Sequence, residues 1–255
     1  MFRGFDFDAS EIDFSRFVEI GYSLHKRNKD LVSGKLKEYR NRSGEILSKK
    51  MTAAWFPNID AQVFISHAHK DSEIALGLAG LLHDQFGISA FVDSTVWGYS
   101  DDLLKILDDK FCYNEKSKTY NYRKRNRSTA HVHMMLSVAL SQMINRYECV
   151  IFINTPHSIS SGDYIEGYTT DSPWIYSEIL MTSLIQKRSP EVHRRGQSVL
   201  GTESFVHDSA LTIKYDVNLA HLSKLNSDNY MKWFNQVTGK ARGENALDML
   251  YDLIR

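Results

Sequence analysis

"QVFISHAHKDSEIALGLAGLLHDQFGISAFVD", Gln62 to Asp93, decides the fold class. "QVFIS" is a short apolar run with β-branched and aromatic residues, suited to a buried strand. "HAHKD" is a polar loop. In "SEIALGLAGLLHDQFG", Ile74, Leu78, Leu81, Leu82 and Phe86 fall on one helical face, and Gly87 supplies a C-terminal cap. "ISAFVD" is a second strand. Strand, helix and strand in this order imply a parallel pair joined by a crossover.

The alternation continues. "DDLLKILDDKF" reads as a helix with Leu103, Leu104, Leu107 and Phe111 inward. "AHVHMMLSVALSQMINRY" reads as another, with Val132, Leu136, Ala139, Leu140 and Met143 on one face. "CVIFIN", Cys149–Asn154, is a third buried strand, and "SPWIYSEIL" opens a further helix. Ser172 suits its N-cap and Pro173 its first turn, so Trp174 and Glu178 share one face. "LTIKYDV" is read as a fourth strand. "SDNYMKWFNQV" and "ENALDMLYDLI" are read as closing helices. The expected architecture is α/β: a flavodoxin-like, mainly parallel sheet with helices on both faces.

Residues 1–60 look different. They read as two polar helices, with one apolar stripe of Phe14, Phe17, Val18 and Tyr22 and a weaker one of Leu31, Leu36 and Tyr39. The expectation is a helical extension at 1–60 that lies outside the sheet, followed by the main domain at 61–255. Residues 113–129, "YNEKSKTYNYRKRNRST", are polar, basic and tyrosine-rich, and read as an inserted loop.

Bulk properties narrow the function classes. The chain has 255 residues, with 31 basic and 31 acidic side chains in balance, so nothing in its net charge points to nucleic acid. No run of 18 apolar residues is present, and the first residues lack a signal-peptide pattern. Two cysteines are too few for a disulfide framework. A cytoplasmic setting is expected, with Cys149 as a buried free thiol. Neither GxxxxGK[S/T] nor GxGxxG occurs, which argues against a P-loop NTPase or a dehydrogenase. "YRKRNR" reads as a solvated insertion, or as a contact for a pyrophosphate or partner; "HRR" at 193–195 is equally open.

Four segments, in order, resemble the TIR (Toll/interleukin-1 receptor) family: "VFISHAHKD", "FVDSTVWGYSDDL", "CVIFINTP" and "SPWIYSE". The likeness covers residues 61–188, and 205–240 loosely. The insertion at 113–129, the long loop at 155–171 and a BB loop ("STVWGYS") without proline-glycine depart from animal signalling adaptors. They make the chain more similar to prokaryotic defence TIR proteins.

The resemblance implies the TIR fold and an enzyme that cleaves the nicotinamide–ribose bond of NAD⁺, with NAD⁺ as substrate and no cofactor. The second product would be ADP-ribose, a cyclic isomer or a conjugate, made in anti-phage immunity and sensed by a downstream effector. Glu178 would be catalytic, stabilising an oxocarbenium-like sugar. Ser66, His67, His69, Asp93, Trp97 and Trp174 would contact substrate, with Trp174 as an apolar wall beside the ribose. Self-association through the BB loop is implied; no membrane or nucleic-acid partner is expected.

Other readings stand beside these. His67 and His69 read equally as solvent-exposed loop residues. "HAH" hints at a metal, but no third ligand completes a recognisable spacing, so none is expected. Asp71 reads as the N-cap of the following helix. The alternative functions are a noncatalytic TIR scaffold and a glycosyl-bond enzyme acting on another nucleoside or nucleotide.

Overall fold

The computed structural model describes residues 1–30, 48–55, 59–161, 168–194 and 215–254. Five parallel strands form the central sheet: β1 (Arg3–Asp8), β2 (Val63–Ser66), β3 (Ala90–Val92), β6 (Cys149–Asn154) and β10 (Ser223–Leu225). Their spatial order is β10-β1-β6-β2-β3. Counted from β2, the strands β3-β2-β6 reproduce the 2-1-3 start of a flavodoxin-like sheet. The next position is taken by the N-terminal strand.

That placement corrects the expected appendage at 1–60. Every residue of β1 pairs with β6, from Arg3 opposite Cys149 to Asp8 opposite Asn154, and Phe5–Phe7 pair with Ser223–Leu225 on the other edge. Phe5 and Phe7 are buried, as is Asp6 between them. Residues 3–8 therefore belong to the sheet. Of the stripes read there, Phe14 is buried and Tyr22 is 56% exposed; Leu31, Leu36 and Tyr39 lie outside the described residues.

Period-two alternation assigns the sheet's two faces. Val63 and Ile65 join Phe5, Phe7, Ile151 and Ile153 in a core closed by α3 (Ser72–Phe86), α8 (Ser227–Val237) and α9 (Glu244–Leu253). Phe64 and Val150 face the opposite core, closed by α2 (Ser48–Trp55), α4 (Ser94–Phe111) and α5 (Tyr122–Arg146). A third cluster joins Phe152 to Ile175 and Ile179 of α6 (Pro173–Leu184). Ser66 follows Phe64 by two residues, so its side chain emerges on the α4–α6 side.

Helix α1 (Val18–Asp30) lies against α3 at backbone contact distance. A Cβ on Gly21 would stand 1.8 Å from the Leu76 carbonyl oxygen, and one on Gly80 2.1 Å from that of Phe17. Glycine at both crossings is a requirement of this close approach.

Three further expectations change. "STVWGYS" is the first part of α4 rather than a loop. Residues 113–129 are a hairpin over 113–120, β4 (Tyr113–Asn114) with β5 (Thr119–Tyr120), and then, from Tyr122, the first two turns of α5. The read fourth strand survives as β9 (Tyr215–Val217), antiparallel to β8 (Tyr168–Thr170), which pairs in turn with β7 (Ser160–Ser161) in a small separate sheet. Residues 211–214 lie outside the described residues. A short helix, α7 (Pro190–Arg194), follows α6. Among the described residues no helix is long and apolar enough to cross a membrane.

Two outcomes follow from these placements. A fragment spanning residues 61–255 should be insoluble or unfolded by circular dichroism, because β6 and β10 lose their shared neighbour; a cooperative native fold would contradict β1 as a core strand. Gly21→Ala should lower stability by about 1–3 kcal/mol in a denaturant titration, the usual cost of overpacking against groups that cannot withdraw.

Candidate functional site

The carboxyl ends of β2 and β3 meet the first turns of α6, and four polar side chains converge there. Ser66 closes β2, His67 follows it, Asp93 follows β3 and Glu178 lies on α6. Ser172 caps α6 by accepting from the Ile175 N–H at 3.3 Å, and Pro173 occupies the first turn, as its missing donor permits. Ile175 and Ile179 anchor the helix in the third cluster. This anchoring turns Glu178 toward the sheet.

Ser66 Oγ donates to Glu178 Oε2 at 2.5 Å. His67 Nδ1 stands 2.5 Å from Asp93 Oδ1, and the His67 backbone N–H donates to Asp93 Oδ2 at 3.2 Å. All four residues are buried, with Glu178 at 2% exposure. Burial drives the Glu178 pKa well above the usual carboxylate range, the neighbouring Asp93 charge pushes it further, and the Ser66 bond opposes both. Burial alone would lower the His67 imidazole; the Asp93 and Asp71 carboxylates outweigh it, and the net direction is upward. These directions favour the neutral form of Glu178 and the charged form of His67, which lies against Asp93. His67 Nε2 has no hydrogen-bond partner among the described residues.

The remaining candidates fall elsewhere. His69 lies in the short 3-10 turn His69–Asp71 and is exposed. Trp174 packs against the Phe64–Leu136 core and meets the His133 ring edge-on, with centroids 5.4 Å apart. Trp97 belongs to α4, and its side chain lies outside the described residues. Asp71 occupies the N-cap position of α3 without capping it. Its carboxylate instead accepts from Thr155 Oγ1 at 2.6 Å, tying the β2 loop to the loop after β6. "HRR" is described only in part: Arg194 engages Glu148 and Asp248 in a structural ion-pair network.

A second feature at the same sheet edge was not anticipated. A cleft of about 800 Å³ opens over the carboxyl ends of β1, β6 and β10, lined by Asp6, Asp8, Asn154, Thr155, Tyr168 and Lys224 among others. Asp6 accepts from Asn154 Nδ2 at 2.8 Å and from Lys224 Nζ. Its wall depends on β1, so the sequence could have revealed it only through the F-D-F-D alternation at residues 5–8. Thr155 connects this cleft, through Asp71, to the buried cluster.

The raised Glu178 pKa has a stability consequence of definite sign. The folded state holds the proton more tightly than the unfolded chain, so the associated stability is complete below the unfolded value of about 4.3 and is lost as pH rises through the folded pKa. Glu178→Gln, which cannot titrate, should gain melting temperature relative to wild type as pH is raised from 4 to 8; a difference independent of pH would contradict a protonated Glu178. Comparison with family models, with curated proteins and with solved structures finds no match to this chain.

Proposed function

We propose that the protein is a TIR-like enzyme that cleaves the nicotinamide–ribose bond of NAD⁺. The observation that carries this reading is the convergence of Glu178, Ser66, Asp93 and His67 at the carboxyl edge of a parallel sheet, where such folds collect ligands. Nicotinamide leaves as a neutral base, so the reaction needs no acid. It needs one carboxylate that orients the ribose hydroxyls and faces the sugar carbon as positive charge develops. Glu178 is that group. Ser66 holds its Oε2, and the His67–Asp93 pair fixes the floor beneath it.

Glu178 is buried and its pKa is raised, both of which oppose an anion facing a sugar cation, so the arrangement is a resting state. Productive binding requires α6 or the start of α4 to move enough to admit the ribose and release the proton. A cationic nicotinamide ring entering beside Glu178 would itself favour the carboxylate. Attack by water would give ADP-ribose; attack by a hydroxyl or base of the same nucleotide would give a cyclic isomer; another acceptor would give a conjugate. Self-association of the α4 segment is one way to drive the opening, and a product made on demand would act on a separate effector in anti-phage immunity.

The 2% exposure of Glu178 also favours a second reading, a noncatalytic interaction module in which the cluster only braces α6. Chromatography of NAD⁺ incubated with concentrated protein separates the two. The enzyme reading expects nicotinamide release by wild type and at least about a hundredfold loss in Glu178→Gln with folding intact. No release would leave the interaction module, and release unchanged in Glu178→Gln would overturn the assignment of Glu178 as the catalytic group.

Ser66→Ala gives a finer test. Ser66 lowers the Glu178 pKa, so its loss should shift the acidic limb of the rate–pH profile to higher pH, with activity partly recovered in alkali. A uniform loss at every pH would mean that Ser66 serves packing alone.

A further inference from the structure

The hairpin β4–β5 and the first turns of α5 carry a surface that the NAD⁺ reading does not use. All fifteen residues from Tyr113 to Arg127 are exposed. In a chain with balanced charge, this ribbon holds six cations, Lys116, Lys118, Arg123, Lys124, Arg125 and Arg127, against the single carboxylate of Glu115. Arg125 is committed to Asp108 at 2.9 Å. Among the described residues no carboxylate forms an ion pair with the other five.

Two features of this charge work against local stability. Arg123, Lys124 and Arg125 sit in the first turn of α5, where the helix dipole disfavours cations, and that turn itself holds no acidic residue. Lys118 adopts φ 51°, a left-handed conformation that costs a side-chain-bearing residue about 1 kcal/mol and that glycine or asparagine would fill more cheaply. The ribbon is nevertheless firmly placed. Asn121 N–H donates to the Cys112 carbonyl at 2.8 Å, Asn121 Oδ1 caps α5 through the Lys124 N–H at 3.0 Å, and Ser128 and Arg125 both bind Asp108.

Aromatic faces are interleaved with the cations. Tyr113 and Tyr120 pair across the hairpin in a T-shape with centroids 5.2 Å apart, each 43% exposed, and Tyr122 is 79% exposed. Arg125 stacks over Tyr120, its guanidinium carbon 5.5 Å from the ring centroid. No aliphatic side chain occurs between Tyr113 and Arg127, so nothing on the ribbon would insert into a bilayer. The Tyr120 hydroxyl donates to Asp109 and fixes the paired rings, while Tyr122 stands open; half-exposed and open rings beside Lys and Arg match a strand whose bases are free to stack and whose phosphates run alongside.

We propose that the β4–β5 ribbon and the start of α5 bind single-stranded nucleic acid without sequence preference. The inference is independent of the NAD⁺ reading. It replaces the expectation of a solvated insertion, which rested on the overall charge balance and could not register where the charge is concentrated.

The test is fluorescence anisotropy of fluorescein-labelled twelve-nucleotide thymidine and uridine oligomers with full-length protein between 50 and 200 mM salt. Both should bind. The log affinity should fall with log salt at a slope of about −2 to −3.5, as expected for three to five neutralised phosphates on a single strand. Tyr122→Ala should weaken binding about tenfold and leave the slope unchanged. Lys116→Ser with Lys118→Ser should weaken binding and flatten the slope by about 1.4. Neither change touches the core, and circular dichroism checks that the fold persists. Absence of binding, affinity indifferent to Tyr122→Ala, or binding only to heparin or to phosphatidylserine vesicles would each overturn the proposal.

Discussion

The backbone ladder between β1 and β6 is the constraint on which the rest of the molecule depends. Six residues of β1 pair along the whole of β6, and β10 closes the other edge. A strand held on both edges and buried on both faces cannot be peripheral, since its backbone groups would find no partners if it left. It also joins chain segments more than two hundred residues apart, Phe7 to Leu225. Those contacts close only when the C-terminal part has folded back, so the first residues are fixed last in topology although they come first in sequence. The α1–α3 crossing at Gly21 and Gly80 repeats the pattern by binding the N-terminal segment to the first crossover helix.

This sheet sets the chemistry at its carboxyl edge. Ser66 points to α6 because it stands two residues from Phe64, which is buried on the same face. Asp93 reaches His67 because β2 and β3 are adjacent and in register. Glu178 arrives from the far side of β6, carried by a helix that a serine cap and two isoleucines hold in place. Two carboxyls and one imidazole thus share a water-poor volume in which both carboxylates cannot be charged at low cost. Contact with Asp93 raises the pKa of His67, and burial beside Asp93 raises that of Glu178. Any role for Glu178 as an anion must begin by changing that balance.

Regular elements with strong local signals were legible in the sequence. Helix α3 runs over Ser72–Phe86 with Gly87 at φ 64° as its cap, and α6 begins at the Ser-Pro pair. The residues that meet at the site, Ser66, His67, Asp93 and Glu178, were singled out through motif order. The structure brings these four together and leaves His69 in solvent and Trp174 against the core. What stayed hidden was non-local. "RGFDFD" has two aspartates in six residues and reads as solvated, yet Lys224 and Asn154, both distant in sequence, satisfy Asp6. "SKL" at 223–225 is too short and polar to announce a strand, and only the free edge of β1 makes it one. "STVWGYS" carries turn-like Gly98 and Ser100, but it continues into the strong apolar stripe of α4, and tertiary packing overrides the local preference.

The same logic separates the molecule's two polar surfaces. At the sheet edge, charge is buried, paired and balanced, and the Ser66–Glu178 and His67–Asp93 contacts hold it in one configuration. On the β4–β5 ribbon, charge is exposed and predominantly positive, and part of it sits in the first turn of α5, where the helix dipole disfavours it. A buried balanced cluster stores a protonation state that a ligand can alter. An exposed unbalanced one gains nothing from the fold and lowers its energy only when an anion arrives. Hairpin and buried cluster are linked through one continuous element, α5, whose first turns carry the cations and whose His133 meets Trp174 one turn before Glu178.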